Sequence, residues 1–232
     1  MLRKKILKIL KLNQYKQKQF YVKMINKGDL CFDIGANIGN KSRVFLSLGA
    51  KVVAFEPQLD CLKKLKLINN NDFKFLAIGI GSKDEEKELI VTNNIEIASF
   101  SESFLNYVSN ENLYQQKTEK VIVKKLDTII EKYGIPNFCK IDVEGYELEI
   151  ISALSYKIPL IEFEFTGGFI SDAIKIIKLL DDKNMRFNYN LNEKHKFELI
   201  NWKTSKEIIT SINNLPKYKL HGNIFVKNNF IP

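Results

Sequence analysis

The chain has 232 residues, of which 45% are hydrophobic, so it can bury a sizeable core and global disorder is excluded. Its formal net charge is +9, which could indicate a nucleic acid or an anionic membrane as partner. The basic residues scatter along the sequence outside the first 23 positions, however, which favours a lysine-solvated surface and no nucleic-acid partner. No apolar run approaches the length that spans a bilayer.

The first 26 residues predict a basic helical extension of one or two helices ahead of the core. Apolar residues at positions 2, 6, 9 and 10 recur at helical spacing with lysines between them. Such an amphipathic helix could bring residues 1–12 into peripheral contact with an anionic membrane, or it could pack on a core or partner helix. The interruption of every apolar run by lysine predicts that this segment is not a signal peptide.

The three cysteines, Cys31, Cys61 and Cys139, lie in or beside apolar segments and are widely spaced. We interpret them as buried free thiols, which indicates a reducing compartment and predicts a cytoplasmic protein. Neither cysteine nor histidine occurs with zinc-ligand spacing.

Residues 27–232 contain no linker, repeat or low-complexity tract, which predicts a single domain. The predicted strands cover residues 30–34, 51–55, 73–80, 121–126, 138–143, 160–165, 186–190, 197–200 and 223–227. The predicted helices cover residues 38–48, 59–68, 128–133, 146–154 and 170–181. This alternation is typical of an α/β fold with a mainly parallel sheet and helices on both faces. Residues 82–120 interrupt it with one strand over 87–92 and irregular sequence, an insertion that could form a lid.

Candidate binding residues follow the first three predicted strands, because ligands of such sheets bind beyond the carboxyl ends of the strands. They are Asp33, Gly35, Asn37 and Gly39 after the first strand, Glu56 after the second, and Ala77 and Ile78 after the third. Gly35 would let the backbone approach a ligand, and the next helix offers free N–H groups to an anion. Glu56 follows about twenty residues later, where a carboxylate can accept both hydroxyls of a ribose. The turn alone could be purely structural, but the acidic end of the second strand favours a nucleoside ligand.

A dinucleotide and S-adenosylmethionine both contain a nucleoside, but they require different residues in this turn. A dinucleotide needs the Gly-x-Gly-x-x-Gly pattern to seat its pyrophosphate, and the turn at Gly35–Gly39 lacks it. Asp33 would repel a pyrophosphate, but it could accept a hydrogen bond, direct or through water, from an ammonium group. S-adenosylmethionine carries an ammonium, a carboxylate, a ribose and a sulfonium, so it fits this acidic site better.

Two further strands end in acidic residues that are candidate catalytic groups. Strand alternation places Asp142 and Glu144 on one side of the first and Glu162 and Glu164 on one side of the second. These carboxylates could bind the cofactor ammonium, orient an acceptor hydroxyl or accept its proton. Structural alternatives are an N-cap with a first-turn acid for Asp142 and Glu144, and pairing with a lysine for Glu162 and Glu164. Ligation of a divalent ion is a lesser alternative, and we expect no metal.

Together these motifs resemble the FkbM family of S-adenosylmethionine-dependent methyltransferases over roughly residues 30–165. The resemblance is carried by residues 33–42 (DIGANIGNKS), 54–57 (AFEP), 126–127 (LD), 140–147 (KIDVEGYE) and 161–163 (IEF). It implies a Rossmann-like class I methyltransferase fold with a seven-stranded sheet whose last, antiparallel strand could be residues 223–227.

The same resemblance implies roles for the candidate residues. Asp33, Gly35 and Asn37 would hold the methionine part of the cofactor, Glu56 the ribose, and the residues near Ala77 and Ile78 the adenine. Asp142 and Glu144 would face the transferred methyl group and the acceptor. The implied reaction is methylation of a hydroxyl on a glycan, sugar or related metabolite, with the basic N-terminus, residues 82–120 and those beyond 165 determining the acceptor. The alternatives are a cofactor-binding scaffold without turnover in a glycan-assembly complex and an RNA methyltransferase.

Overall fold

The structure, a computed structural model, describes residues 2–95, 97–108, 116–192, 194–218 and 220–228, without the side chains of residues 2–11 and 116. The helices are α1 Leu2–Tyr21, α2 Asn40–Ser47, α3 Leu59–Leu65, α4 Glu102–Val108, α5 Leu126–Tyr133, α6 Glu147–Ser152, α7 Ile170–Leu179 and α8 Ser205–Asn213. The strands are β1 Leu30–Ile34, β2 Lys51–Phe55, β3 Phe73–Leu76, β4 Gly79–Gly81, β5 Glu85–Thr92, β6 Ala98–Ser99, β7 Gln116–Lys125, β8 Phe138–Ile141, β9 Leu160–Thr166, β10 Met185–Leu191 and β11 His221–Asn228.

The main sheet has seven strands in the order β10-β11-β9-β8-β1-β2-β3. The strand β11 runs antiparallel to both of its neighbours, while β1 pairs in parallel with β2 and β8. This arrangement confirms the predicted class I methyltransferase fold, including the antiparallel strand expected over residues 223–227. Because β1 and β8 are adjacent and parallel, the turn after Ile34 and the acidic residues after Ile141 lie side by side at one edge of the sheet.

The predicted strand over residues 73–80 is wrong, because the chain leaves the sheet after Leu76. Ala77 is exposed, and Gly79–Gly81 pairs instead with β7 in a second sheet of order β4-β7-β5-β6. The strand β3 lies at the edge of the main sheet, where no further neighbour holds the chain in line. The insertion predicted over 82–120 supplies β5, β6, α4 and the first half of β7; its role as a lid stays a prediction.

The predicted strand over residues 197–200 is also wrong. The side chain of Asn188 on β10 takes the place of a strand ladder there: its Nδ2 donates to the carbonyl of Leu199 at 3.0 Å, and its Oδ1 accepts from the Leu199 N–H at 3.2 Å. The helix α8 that follows was not predicted, although Thr204 and Glu207 form a capping box at its start.

The basic N-terminal segment forms a single helix, α1, whose C-terminal end is part of the core. The rings of Phe20 and Phe225 lie 5.5 Å apart, and those of Tyr21 and Phe138 lie 5.9 Å apart. The apolar side chains on which the predicted membrane contact depends lie outside the described residues, so this contact, like the division at residue 26, stays a prediction. Among the described residues, no helix has the length and apolar character needed to cross a bilayer.

The sheet face beneath α1 and α2 changes from apolar to charged along its strands. Register aligns the apolar Cys31, Phe138 and Leu160 at the beginning of the strands. Two residues further along, it aligns Asp33 with Lys140 and Lys140 with Glu162. These charged side chains are all buried, so they must be paired with one another or with polar groups of the covering helices.

Tyr21 is the group of α1 that meets this buried charge. Its hydroxyl lies 3.0 and 2.9 Å from the two carboxylate oxygens of Glu162, to which it donates. Burial raises the pKa of Glu162 to about 7, while the cations Lys41 and Lys140 and the Tyr21 hydroxyl oppose this rise.

We expect Tyr21→Phe to lower the free energy of unfolding by about 1–3 kcal/mol, because it removes a donor from a buried carboxylate. The loss should be larger at pH 8 than at pH 5.5, since the ionised form of Glu162 predominates only above pH 7. Urea unfolding at both pH values measures it, with the exposed Tyr15→Phe as the matched control on the same helix. An equal loss at both pH values would contradict the assigned role of the hydroxyl.

Candidate active site

The turn after β1 brings its backbone against the chain that follows β8. Gly35 has a φ of +74°, and its N–H donates to the carbonyl of Phe55 at 3.0 Å. The N–H of Asp142 donates to the carbonyl of Ile34 at 3.0 Å, so a Cβ at Gly35 would overlap the Asp142 carbonyl oxygen. Only glycine therefore fits this position, and the close approach joins the two acidic motifs of the sequence.

Glu56 is buried at the end of β2 with its carboxylate fixed by backbone donors. Its Oε2 accepts from the N–H of Asn37 and its Oε1 from the N–H of Gln58, each at 2.8 Å. Burial raises the pKa of Glu56 to about 7, against the opposing effect of these two hydrogen bonds. Each carboxylate oxygen retains a further lone pair, so the group can still accept the two hydroxyls of a ribose.

The insertion is held against the mouth of this site. The carbonyl of Ile95 accepts from the side-chain amides of Asn37, at 3.2 Å, and Gln58, at 3.3 Å. On the opposite side the hydroxyl of Ser99 donates to the carbonyl of Glu144 at 2.6 Å. Ile95 thus binds the insertion to the turns after β1 and β2, and Ser99 binds it to the acidic loop after β8.

These elements line a first cavity of about 640 Å³, measured up to its open mouth. Its walls combine apolar side chains with a few polar groups at the strand ends. The apolar members include Phe55, Ile78, Ile80, Leu89, Phe100 and Val143, and the polar members are Asn37, Glu56, Gln58, Ser99, Asp142 and Glu144. An apolar slot beside a carboxylate fits an adenine and its ribose.

Three carboxyl groups meet at the end of this cavity. Single ligand atoms of Asp142, Glu144 and Glu164 lie within 4.8 Å of one another. The buried ammonium of Lys140 lies 2.7 Å from Oδ2 of Asp142. Burial opposes ionisation of Asp142, but Lys140 and a hydrogen bond from Glu164 lower its pKa below the usual value. Burial and the neighbouring charges of Asp142 and Glu144 raise the pKa of Glu164 well above its usual value. Of the pair Asp142 and Glu164, Asp142 is therefore the ionised member, and a protonated Glu164 donates to it.

The predicted site residues divide into two groups in the structure. Those that line the first cavity are Gly35, Asn37, Glu56, Ile78, Asp142 and Glu144. The others lie behind or beside it: Asp33 and Glu162 are fully buried, Gly39 packs on Leu65 and Ile68, Ala77 is exposed, and Glu164 contacts Asp142 from β9. The functional roles of all of them stay predictions.

Sequence reasoning missed three groups that shape the site. Lys140 was given no role in the sequence analysis. Its position two residues before Asp142 places both side chains on one side of the strand, and that spacing could have indicated their pairing. Glu147 is buried and accepts from the N–H of Val143 at 2.9 Å, which fixes the acidic loop. Residues 98–100 line the cavity from an insertion in which no motif was recognised.

A family model described as a methyltransferase FkbM domain matches residues 33–189. The chain belongs to the FkbM methyltransferase family. It is therefore a methyltransferase, and S-adenosylmethionine is its cofactor. No curated protein matches the chain. The matched region contains both the glycine turn and the acidic loop, so the two motifs that meet in the structure belong to one domain.

The chain is similar to solved structures of methyltransferases at low sequence identity. A putative rRNA methylase from Clostridium thermocellum has a TM-score of 0.46 and 10% identity, and the match covers 91% of this chain and 92% of that one. A putative methyltransferase from Streptococcus mutans, solved with SAH, has a TM-score of 0.45 and 13% identity, with 91% and 94% covered. A precorrin-6y C5,15-methyltransferase from Geobacter metallireducens has a TM-score of 0.47 and 12% identity, with 92% and 86% covered. The family assignment rests on the sequence match alone.

The residues present fit the cofactor of this family. Oδ2 of Asp33 accepts from the Ser42 hydroxyl at 2.6 Å, but Oδ1 is buried without a partner in the described part of the chain and can accept from an ammonium through water. The N-terminus of α2 has no side-chain cap, so its N–H groups can bind a carboxylate. Together with Glu56 and the apolar slot, these groups match the charged ends and the nucleoside of S-adenosylmethionine.

The pH dependence of cofactor binding tests the role of Glu56. We expect the affinity for S-adenosylhomocysteine to rise about tenfold from pH 6 to pH 8, because ribose hydroxyls bind best to the ionised carboxylate and its pKa is about 7. Glu56→Gln should bind weakly and without this pH dependence, whereas the exposed Glu131→Gln should behave like the wild type. Calorimetric titration at the two pH values measures both effects, and a pH profile unchanged in Glu56→Gln would contradict the assignment.

Proposed function

We propose that this methyltransferase acts on oxygen, transferring the methyl group to a hydroxyl of a glycan, a sugar or a related metabolite. The observation that carries the proposal is the ionised Asp142 carboxylate at the end of the cofactor cavity, paired with Lys140 at 2.7 Å. A hydroxyl is a weak nucleophile until its proton is accepted, and a fixed carboxylate is the group that accepts it.

S-adenosylmethionine supplies an electrophilic methyl group on a sulfonium. The residues of this chain bind and orient the reactants: Asp33, Gly35 and Asn37 hold the methionine part, Glu56 holds the ribose and Ile78 contacts the adenine. Asp142 orients the acceptor hydroxyl and accepts its hydrogen bond, and Glu144 faces the same space. Much of the rate enhancement then comes from holding the two reactants in line.

Glu162 and Glu164 support Asp142 in different ways. Glu164 holds a proton beside Asp142, so the pair carries one negative charge before transfer and none once Asp142 has accepted the proton of the acceptor hydroxyl. Glu162 is fully buried and bonded to Tyr21, so its contribution is to balance Lys140 from behind. The catalytic role proposed for Glu162 is thus an indirect one.

Methyl transfer with an isotopically labelled donor tests the proposal. Purified protein is incubated with S-adenosylmethionine carrying a labelled methyl group and a series of monosaccharides, and the products are analysed by NMR. We expect an O-methyl signal on a sugar and its loss in Glu56→Gln. Cofactor binding without transfer to any sugar would overturn the proposal and favour a scaffold, and labelled RNA in a parallel reaction would favour the RNA methyltransferase.

A further inference from the structure

A second cavity, of about 1840 Å³ up to its open mouth, lies between α1 and α2 on the other side of the acidic loop. It shares Gly35, Asn37, Asp142 and Glu144 with the first cavity. The two cavities therefore meet at the glycine turn and at the carboxylates that the proposed reaction uses. Methyl transfer needs the donor and the acceptor to meet at one point, and this junction offers such a point.

The lining of the two cavities distinguishes their occupants. The first has the apolar slot and the Glu56 carboxylate that suit a nucleoside. The second is lined mainly by polar side chains: Asn13, Gln14, Gln17 and Asn40 contribute amides, and Tyr15 on the same helix is 61% exposed. Each amide offers both donors and an acceptor, which matches the paired hydroxyls of a sugar ring. The exposed tyrosine ring adds an apolar surface for the C–H groups of such a ring.

The charges of the second cavity indicate an anionic group on the acceptor. Lys18, Lys41 and Arg43 lie in its wall, and the only acids in its described lining are Asp142 and Glu144. Asp142 is already paired with Lys140. No described acid forms an ion pair with Lys41 or Arg43, so these two cations are available to a ligand.

The contacts of these three cations show which of their donors remain for a ligand in the cavity. Lys18 donates to the carbonyl of Ser47 at 2.7 Å, which fixes it to α2. Arg43 uses one nitrogen to donate to the carbonyl of Ile38 at 2.6 Å and retains its other donors. Lys41 lies 5.5 Å from the centre of the Tyr21 ring, near the base of the cavity. Residues two apart on a helix do not face each other, so a carboxylate or phosphate in this cavity could contact Lys41 or Arg43.

We propose that the second cavity binds an acidic saccharide, with a sugar hydroxyl at Asp142 and a carboxylate or phosphate of the sugar at Lys41 or Arg43. The proposal rests on the proposed function, since it names the acceptor of the same reaction. It makes α1 and α2, and not the insertion over residues 82–120, the elements that select the acceptor.

Matched sugars test the proposal. Each of glucose, galactose and mannose gives a trio of compounds that differ only at C6. The members are the neutral methyl glycoside, the methyl glycoside of the uronic acid with its free carboxylate, and the 6-phosphate of the methyl glycoside. Calorimetry with protein saturated with S-adenosylhomocysteine measures binding, and labelled methyl transfer measures kcat/KM. We expect an acidic member of at least one trio to bind about tenfold or more tightly than its neutral partner. Comparison of the uronate with the phosphate identifies which anion is preferred.

Variants separate the acceptor site from the cofactor site. Lys41→Gln or Arg43→Gln, whichever removes the cation that binds the anion, should abolish most of this preference while changing the dissociation constant of S-adenosylhomocysteine by no more than about threefold. An undiminished preference in both variants would overturn the anion site. The control is Lys66→Gln, an exposed lysine outside both cavities. A larger loss of cofactor affinity in Lys41→Gln would overturn the proposal by assigning the lysine to the methionine carboxylate.

The remaining outcomes are distinguishable. If neutral and acidic sugars bind equally well and are methylated equally fast, the proposal of an acidic acceptor is overturned. The proposed sugar O-methyltransferase activity would still stand. Transfer to none of the sugars by a protein that binds the cofactor would overturn the proposed function and this inference with it.

Discussion

Gly35→Ala is expected to abolish binding of S-adenosylhomocysteine and to lower the free energy of unfolding by about 3 kcal/mol or more. The new Cβ would overlap the carbonyl oxygen of Asp142, and the φ of +74° is unfavourable for alanine. To relieve the overlap, the turn after β1 must move away from the loop after β8. That movement would displace Asn37 and Asp142, two polar groups shared by both cavities.

Gly28→Ala is the matched control, because Gly28 has a φ of +90° but nothing within 4 Å of the position its Cβ would occupy. This variant should cost only about 1–2 kcal/mol, from backbone strain alone, and should bind S-adenosylhomocysteine like the wild type. Urea unfolding and calorimetry measure the two effects. If Gly35→Ala lost no more stability than Gly28→Ala and bound the cofactor product normally, the turn would not be the close contact described.

Asp142→Asn should lower kcat by about 100- to 10,000-fold on the acceptor identified by the saccharide series, because an amide cannot take the proton of the hydroxyl. The fold should persist, since Asp33 and Glu162 still act electrostatically on Lys140. Single-turnover transfer of a labelled methyl group measures the chemical step, and circular dichroism checks the fold.

The exposed Asp72→Asn is the control for this variant. A second variant, Glu164→Gln, tests the coupling of the two acids: it should shift the pH dependence of kcat, since Glu164 holds a proton that Asp142 shares. Methyl transfer by Asp142→Asn at the wild-type rate would remove Asp142 from the proposed chemistry and return the role to Glu144.

Much of the sheet was predictable because buried parallel strands leave a clear pattern in sequence. The apolar runs before Asp33, Glu56 and Asp142 each gave a strand close to the observed one. The strand predictions failed at two places where a sheet edge or a side chain determines the backbone path. At the sheet edge the chain leaves β3 after Leu76, and beside β10 the amide of Asn188 replaces the hydrogen bonds of a strand ladder. Neither the end of β3 nor the Asn188 contact changes the hydrophobic periodicity of the sequence, so neither could be predicted from that periodicity.

The only part of the candidate site that could be predicted is the part formed by residues at the carboxyl ends of neighbouring parallel strands. Parallel neighbours place Gly35 and Asp142 together by topology, so their meeting followed from the strand order. The hydrogen bond between Tyr21 of α1 and Glu162 could not be predicted, because the two residues lie 141 positions apart in the chain. The choice of acceptor was assigned to the basic N-terminus, the insertion and the residues beyond 165. The helix α1 lines the second cavity and Ser99 of the insertion lines the first, and the assignment stays a prediction.

The packing of α1 has a consequence for the order in which the protein is made. The helix leaves the ribosome early, but its aromatic partners Phe138 and Phe225 are synthesised much later. Because domains generally fold as units, we expect the packing of α1 on Phe138 and Phe225 to form only when most of the domain has been translated, although Phe45 of α2, whose ring lies 5.1 Å from that of Tyr21, is available much earlier. A nascent chain that ends after β2 lacks Lys140, Asp142 and Glu144, so it cannot complete the wall of the second cavity.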